Sequence, residues 1–209
     1  MQMKRTLLKL EWQKLPIRKS FRMLALMPMF FSFLTSFSNL KADNDSKQIT
    51  NLKATFIVNV LNYVRWQDTD ISPEDLQMEL LVVGNDEHNI RGRLEYILHE
   101  TQFKVNECRL KVRSFSSLED ANEQIEKKGA KIVLLLDSIS GVWSKEKYPQ
   151  ISGTLILGES RNFLRNGCVI TLRKENNRFK LGVNLKKAKK MNLVISSSLL
   201  GLNRVVLEE

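Results

Sequence analysis

Hydrophobic residues between Ile49 and Trp66 recur at three- and four-residue spacing. The periodic positions are Leu52, Phe56, Val60, Tyr63 and Val64. That spacing puts them on one face of a helix, so the segment is predicted to be an amphipathic α-helix that polar residues and Pro73 then end.

Three short apolar runs further along the chain have the length of strands covered on both faces. They are Met78 to Gly84, Lys131 to Asp137 and Thr154 to Gly158. A fourth run, Arg109 to Phe115, alternates polar and apolar residues, which predicts a strand with one wet face.

Helical patterns separate these strands. One runs from Ile90 to Leu98, and another ends at Lys128 after Ser116 and Ser117, which precede two acidic residues by three positions in a capping pattern. A helical or irregular stretch is predicted from Trp143 to Pro149. Strands that alternate with helices indicate right-handed βαβ units and a mostly parallel sheet.

The pattern changes after Gly158. Two alternating runs, Cys168 to Lys174 and Arg178 to Val183, flank a polar loop and predict a β-hairpin. A short helix, a strand and a terminal helix are then predicted for Leu185 to Met191, Leu193 to Ser196 and Leu199 to Val206. The predicted fold is therefore a compact single α/β domain: a mostly parallel sheet flanked by helices, with a C-terminal antiparallel hairpin.

Composition agrees with a globular protein, because 43% of the 209 residues are hydrophobic and 27% are charged. The net charge of +10 is concentrated at one end: residues 1–42 hold eight basic residues and one acidic residue. This segregation argues against nucleic acid as a partner.

The same N-terminal segment has the organisation of an export signal. Basic residues precede an uncharged stretch from Met23 to Leu40, and a small residue, Ala42, stands before Asp43. We expect residues 1–42 to be a cleaved signal peptide, residues 43–48 a polar leader, and residues 49–209 the exported domain, which in a bacterium means the periplasm. The alternative is an uncleaved anchor, and the true start codon is open between Met1, Met3 and later positions.

No catalytic or cofactor motif emerges from the sequence. The only histidines are His88 and His99, and the glycines never form GxG. His88 stands beside Asp86 and Glu87 after the first buried strand; we expect a solvated loop histidine there, and the alternative is a metal or acid–base role. Gly153 and Gly158 have phosphate-loop spacing, but Glu159 and Ser160 follow where Lys-Ser is required. We therefore expect no enzymatic activity, no metal and no cofactor.

Acidic residues end two of the predicted strands. Asp86 and Glu87 follow the first buried strand, and Asp137 ends another. Phospho-acceptor receiver domains place acidic residues in this way, so a receiver is one alternative. After the third apolar strand, Gly158 and Glu159 stand where a receiver requires a lysine or hydroxyl pair at fixed places. An export signal also does not fit a cytosolic receiver.

Two cysteines, Cys108 and Cys168, allow one disulfide in an oxidising compartment. The alternative is that both are buried as small hydrophobic residues.

The predicted hairpin and the helix after it are candidates for a partner-binding or dimer surface, since added antiparallel strands lie at a sheet edge where another chain can pair. The candidate residues are Phe179, Lys180, Leu181, Asn184, Leu185 and Lys187. Asn184 lies where the predicted strand ends and the predicted helix begins, so it is predicted to be the N-cap of that helix.

Several segments together resemble the YfiR-like family of periplasmic proteins. The predicted first helix, ATFIVNVLNYVRWQ from Ala54 to Gln67, is similar to the family's opening, with Gln67 in place of its proline. LLVVGND, FSSLEDAN and KIVLLLDS resemble the family's later elements. The closing segment is the most specific; its matching positions are Gly167, Ile170, Arg178, Phe179, Val183, Asn184, Ala188, Leu193, Ile195, Ser196, Ser197, Leu199, Leu200 and Leu202.

The resemblance covers roughly residues 50 to 206, and one loop departs from it: residues 159–163 replace the family's IPGF, and Asn166 replaces a turn glycine. It implies a non-enzymatic periplasmic regulator that binds the periplasmic domain of an inner-membrane signalling protein, typically a diguanylate cyclase, and inhibits its output. It also implies a homodimer. The alternative is a periplasmic small-molecule-binding module that feeds a sensor kinase or a transporter.

Overall fold

The computed structural model describes residues 46–67, 77–127, 131–143, 151–175 and 178–207. The predicted signal peptide and most of the stretch from Trp143 to Pro149 lie outside these residues.

Ten strands and six α-helices make up the described chain. The strands are β1 Val64–Trp66, β2 Gln77–Val83, β3 Lys104–Val105, β4 Cys108–Phe115, β5 Lys131–Leu135, β6 Thr154–Gly158, β7 Ile170–Glu175, β8 Arg178–Val183, β9 Leu193–Ile195 and β10 Val205–Leu207. The helices are α1 over residues 46–61, α2 Ile90–Glu100, α3 Leu118–Glu126, α4 Arg161–Arg165, α5 Leu185–Lys190 and α6 Ser197–Leu200, with a 3-10 turn at Asp137–Ile139.

Eight of the strands form one sheet in the order β10-β8-β7-β6-β5-β2-β4-β3. The five central strands, β7, β6, β5, β2 and β4, are parallel to one another. The hairpin of β7 and β8 is antiparallel, as is the pairing of β3 with β4. The predicted α/β class, the parallel sheet and the C-terminal hairpin are confirmed.

Burial explains why the central strands were recognisable in the sequence. Every residue of β5 and of β6 is buried. In β4 the exposed Arg109 and Lys111 alternate with less exposed residues as far as Val112. The capping pattern is also confirmed, because the Ser117 side chain accepts a hydrogen bond from the backbone N–H of Asp120 at the start of α3.

The first helix is shorter than predicted. Helix α1 ends at residue 61, and Val64–Trp66 is instead strand β1, which pairs antiparallel with β9 in a separate two-stranded sheet. The buried face also differs, because Leu52 is exposed whereas Ala54 and Ile57 are buried. The helical spacing of Tyr63 and Val64 was therefore misleading: pairing with a distant strand determines the conformation of those residues.

The terminal helix was also predicted too long. Helix α6 ends at Leu200, and β10 then joins the main sheet parallel to β8. Strand β8 is consequently not the edge of the sheet, which corrects the edge position expected for the hairpin.

Cys108 and Cys168 are both buried, and no disulfide joins them. Cys108 begins β4 and Cys168 comes shortly before β7, with β2, β5 and β6 between those strands. Strands lie about 4.8 Å apart, so roughly 19 Å separates the two positions, whereas a disulfide needs Cα atoms within about 7 Å. The structure therefore agrees with two buried cysteines.

Among the described residues, no helix is both long and apolar enough to cross a membrane.

Candidate functional site

The strand order brings two loops together at the carboxyl end of the sheet. From β2 the chain passes to β4 on one side, and then returns to β5 on the other side of β2. This is the flavodoxin-type order, and loops that leave β2 and β5 in opposite directions open a crevice where such sheets bind ligands.

A cleft of about 240 Å³ lies at this crevice. Residues after β2, β5 and β6 line it together with two residues of α1 and the start of α2. They are Thr50, Lys53, Asn85, Asp86, Glu87, His88, Ile90, Leu136, Asp137, Ser138 and Glu159.

Gly84 allows the two central loops to approach each other. Its φ of +122° is unfavourable for other residues, and a Cβ atom there would lie 2.6 Å from the Ser138 hydroxyl oxygen. The next residue, Asn85, donates its backbone N–H to that oxygen over 2.8 Å. The floor of the cleft is therefore a direct contact between the ends of β2 and β5.

Asp86 caps helix α2 at the cleft. Its carboxylate accepts the backbone N–H groups of Ile90 at 2.6 Å and Arg91 at 2.9 Å, and the Asn89 side chain accepts that of Gly92. These bonds satisfy the amides that would otherwise attract an anion. Both Asp86 oxygens accept amides of α2, so this carboxylate has a structural role at the start of the helix.

An ion pair joins α1 to the other wall. Lys53 Nζ lies 2.9 Å from Oε1 of Glu159, and Glu159 Oε2 accepts the backbone N–H of Asp137 at 3.2 Å. The Glu159 side chain is only 11% exposed. The glutamate therefore connects the ends of β5 and β6 to the helix that covers them.

His88 is exposed and its Nδ1 lies 3.0 Å from the hydroxyl of Ser46. A catalytic serine–histidine pair also needs a group that orients the ring and donors for an oxyanion. His88 makes no further hydrogen bond within the part of the chain that the structure describes, and no cluster of three metal-ligating side chains is found there. The lining of the cleft carries four carboxylates and one lysine.

The predicted partner-binding residues occupy three different environments. Phe179 and Leu181 are buried in the core, where the Phe179 ring lies 5.7 Å from that of Phe56 in α1. Lys187 is also buried, so it is not part of an open surface. Leu185 is exposed, and Lys180 is partly exposed.

Asn184 is the N-cap of α5, as predicted. Its Oδ1 atom accepts the backbone N–H of Lys187 at 2.8 Å.

Lys180 belongs to a charged cluster on the hairpin. Its Nζ lies 2.9 Å from Glu175, whose other oxygen lies 2.7 Å from Arg173 Nε. The hydrogen bond from Lys180, with the positive charges nearby, lowers the pKa of the Glu175 carboxyl.

Neither the role of Lys53 nor the meeting of the cleft residues was predicted from the sequence. Lys53 looked like one more polar position on an amphipathic helix, and Glu159 was noted only because it ruled out a phosphate loop. Their meeting depends on how α1 crosses the sheet, which local periodicity does not report.

The fold and site define an α/β protein of flavodoxin-type strand order with a polar cleft at its switch point. The chain belongs to the YfiR/HmsC-like family, whose family model matches residues 50–204. This confirms the resemblance found in the sequence.

Among solved structures, the chain is similar to a conserved domain protein from Vibrio cholerae, with 12% identity and a TM-score of 0.48; the match covers 77% of this chain and 60% of that one. It is also similar to the ABC domain from Streptococcus pneumoniae solved with L-Trp, with 11% identity and a TM-score of 0.40, over 71% of this chain and 60% of that one. A search of curated proteins found no match.

Proposed function

We propose that this chain is a periplasmic regulator that binds the periplasmic domain of an inner-membrane diguanylate cyclase and lowers its output. Membership of the YfiR/HmsC-like family over residues 50–204 carries this proposal. The basic and then uncharged N-terminal segment supports export. The proposed regulator is a homodimer and needs no cofactor.

Regulation requires only that the chain bind one conformation of the cyclase more tightly than the other. A tenfold change in the conformational equilibrium needs about 1.4 kcal/mol of differential binding. The sheet and the covering helix α1, tied together through Lys53 and Glu159, offer a rigid body for that purpose.

The test is the cyclic di-GMP content of the source bacterium. Deleting the gene should raise it, and restoring the full chain should lower it again. Restoring residues 43–209 without the N-terminal segment should not, because the product stays in the cytoplasm. Unchanged cyclic di-GMP in the deletion strain would refute regulation of a cyclase.

The second candidate is a small-molecule-binding module that feeds a sensor kinase or a transporter. The cleft of about 240 Å³ at the switch point favours it. Native mass spectrometry of protein purified from the periplasm tests it. A retained small molecule that leaves on Ser138→Trp substitution would support this candidate, and the apo mass alone would count against it.

A further inference from the structure

The eight-stranded sheet ends at β10. This strand pairs with β8 on one side, and no strand of the described chain pairs with its other side. An open edge of this kind is a template for a strand from another chain.

The pairing register shows which backbone groups face outward. Leu181 donates its N–H to the carbonyl of Arg204 over 2.9 Å, so Arg204 faces β8. Successive residues of a strand direct their backbone groups to opposite sides, so Val206 also faces β8, while Val205 and Leu207 face away. The backbone N–H of Val205 already donates to the carbonyl of Leu202, so it is not available to an added strand. The outward groups that stay available are therefore the Val205 carbonyl and the N–H and carbonyl of Leu207.

The side chains at this edge are apolar and accessible. Leu207 is 56% exposed, and Leu202 in the turn before β10 is 46% exposed. Val205 and Val206 are half-buried. Burying these side chains under an added strand is favourable by about 25 cal/mol per Å² of apolar surface.

Positive charge lies next to this apolar edge. Five basic residues and one acidic residue, all exposed or half-buried, stand on the hairpin and just before β10: Arg173, Lys174, Arg178, Lys180, Arg204 and Glu175. The sequence continues after β10 with Glu208 and Glu209, so the basic residues exceed the acidic ones by two and lie towards the start of the strand. A segment with acidic side chains complements this charge.

We propose that β10 is a docking edge, at which an extended acidic segment of the signalling protein's periplasmic domain adds as a further strand. The proposal rests on the function proposed above and names the surface through which it acts. The backbone of Val205 and Leu207 supplies the pairing, the exposed leucines supply apolar contact, and the basic residues select an acidic segment.

Photo-crosslinking in living cells tests the surface. A benzophenone side chain at position 207 should give an adduct with an inner-membrane protein that carries a cyclase domain. The control is position 96, because Tyr96 is also exposed but lies on α2. Adducts from position 96 alone, no adduct from either position, or an adduct from position 207 only with a second copy of this chain would each overturn the proposal.

A matched pair of substitutions tests the backbone. Leu207→Pro removes the outward N–H and the side chain, whereas Leu207→Ala removes only the side chain. Proline is tolerated at an edge position whose N–H faces solvent, so the two variants should have the same melting temperature. Leu207→Pro should bind the cross-linked partner roughly two- to tenfold more weakly than Leu207→Ala, the worth of one hydrogen bond.

Equal affinities of these two variants would show that no strand adds at β10. The cyclic di-GMP measurement separates this failure from failure of the proposed function. If deletion raises cyclic di-GMP while the affinities stay equal, the chain regulates a cyclase but binds it through a surface other than β10.

Discussion

Lys53 Nζ and Glu159 Oε1 lie 2.9 Å apart, so an ion pair fastens helix α1 to the carboxyl end of β6. The second oxygen of Glu159 holds the backbone N–H of Asp137. This one carboxylate therefore links three elements around the cleft, and its loss should affect the cleft more than a surface ion pair would.

Lys53→Met should lower the free energy of unfolding by about 1–3 kcal/mol, because it leaves a nearly buried carboxylate without its cation. The double variant Lys53→Met/Glu159→Gln should lose less than the sum of the two single losses. Urea unfolding of the four proteins measures this. Strictly additive losses would mean that the two side chains do not interact in solution.

Asn184→Ala should lower the free energy of unfolding by about 1 kcal/mol, since α5 loses the acceptor for the Lys187 N–H. Asn184→Asp and Asn184→Ser should largely restore stability. If Asn184 contacts the partner directly, these two variants would restore the melting temperature but not the affinity. An alanine variant that melts like the wild type would contradict the cap.

Gly84→Ala should lower the free energy of unfolding by about 1–3 kcal/mol, through a strained backbone and a collision with Ser138. Gly141→Ala is the control, because nothing lies within 4 Å of its Cβ position. It should change stability by less than about 0.5 kcal/mol. Thermal melting distinguishes them, and equal melting temperatures would refute the tight contact between the loops.

Lys131 predicts a pH dependence of stability. Its buried ammonium donates to the carbonyls of Gln124 and Ile125, and also to that of Lys127, at the end of α3. Burial lowers the pKa of this lysine from 10.5. Between the lowered pKa and 10.5 the unfolded chain binds more protons than the folded chain, so the free energy of unfolding rises with pH in that window.

Lys131→Met removes this titration. Compared with the variant, the wild type should therefore gain stability as the pH is raised towards 10.5 in urea unfolding experiments. A difference between the two proteins that stays constant or shrinks with pH would show that the pKa of Lys131 is not lowered.

The cysteines should behave as two thiols shielded by the fold. Burial raises the pKa of Cys168, which keeps it protonated, and the thiolate is the form that reacts. Native protein purified without reductant should resist alkylation, and two thiols should react after unfolding. A mature protein in which no thiol reacts after unfolding would instead contain the disulfide between Cys108 and Cys168.

Sequence periodicity was informative where burial alone shapes an element. β6 was predicted with its observed bounds because all five of its residues are buried. Ser117 and Asn184 were identified as caps because capping depends on residues only two or three positions away.

Periodicity failed where distant residues decide the conformation. Val64–Trp66 is a strand because β9 pairs with it, and Val205–Leu207 is a strand because β8 offers an edge. Part of the cleft could be predicted, since Asp86 and Asp137 were recognised as acidic residues at the ends of strands. The contribution of Lys53 depends on the placement of α1, which no local pattern encodes.

The pairing of β1 with β9 has a consequence for how the chain reaches its folded state. Val64 lies beside Ile195, near the opposite end of the chain, and β10 comes from the last described residues. Such remote pairings slow folding, because a long loop must close before they form. A chain that emerges gradually, N-terminus first, cannot complete either sheet until its final segment has arrived. Until then the apolar side of α1 and the strand after it lack their full cover, so a chain cut short before β9 should be prone to aggregation and proteolysis.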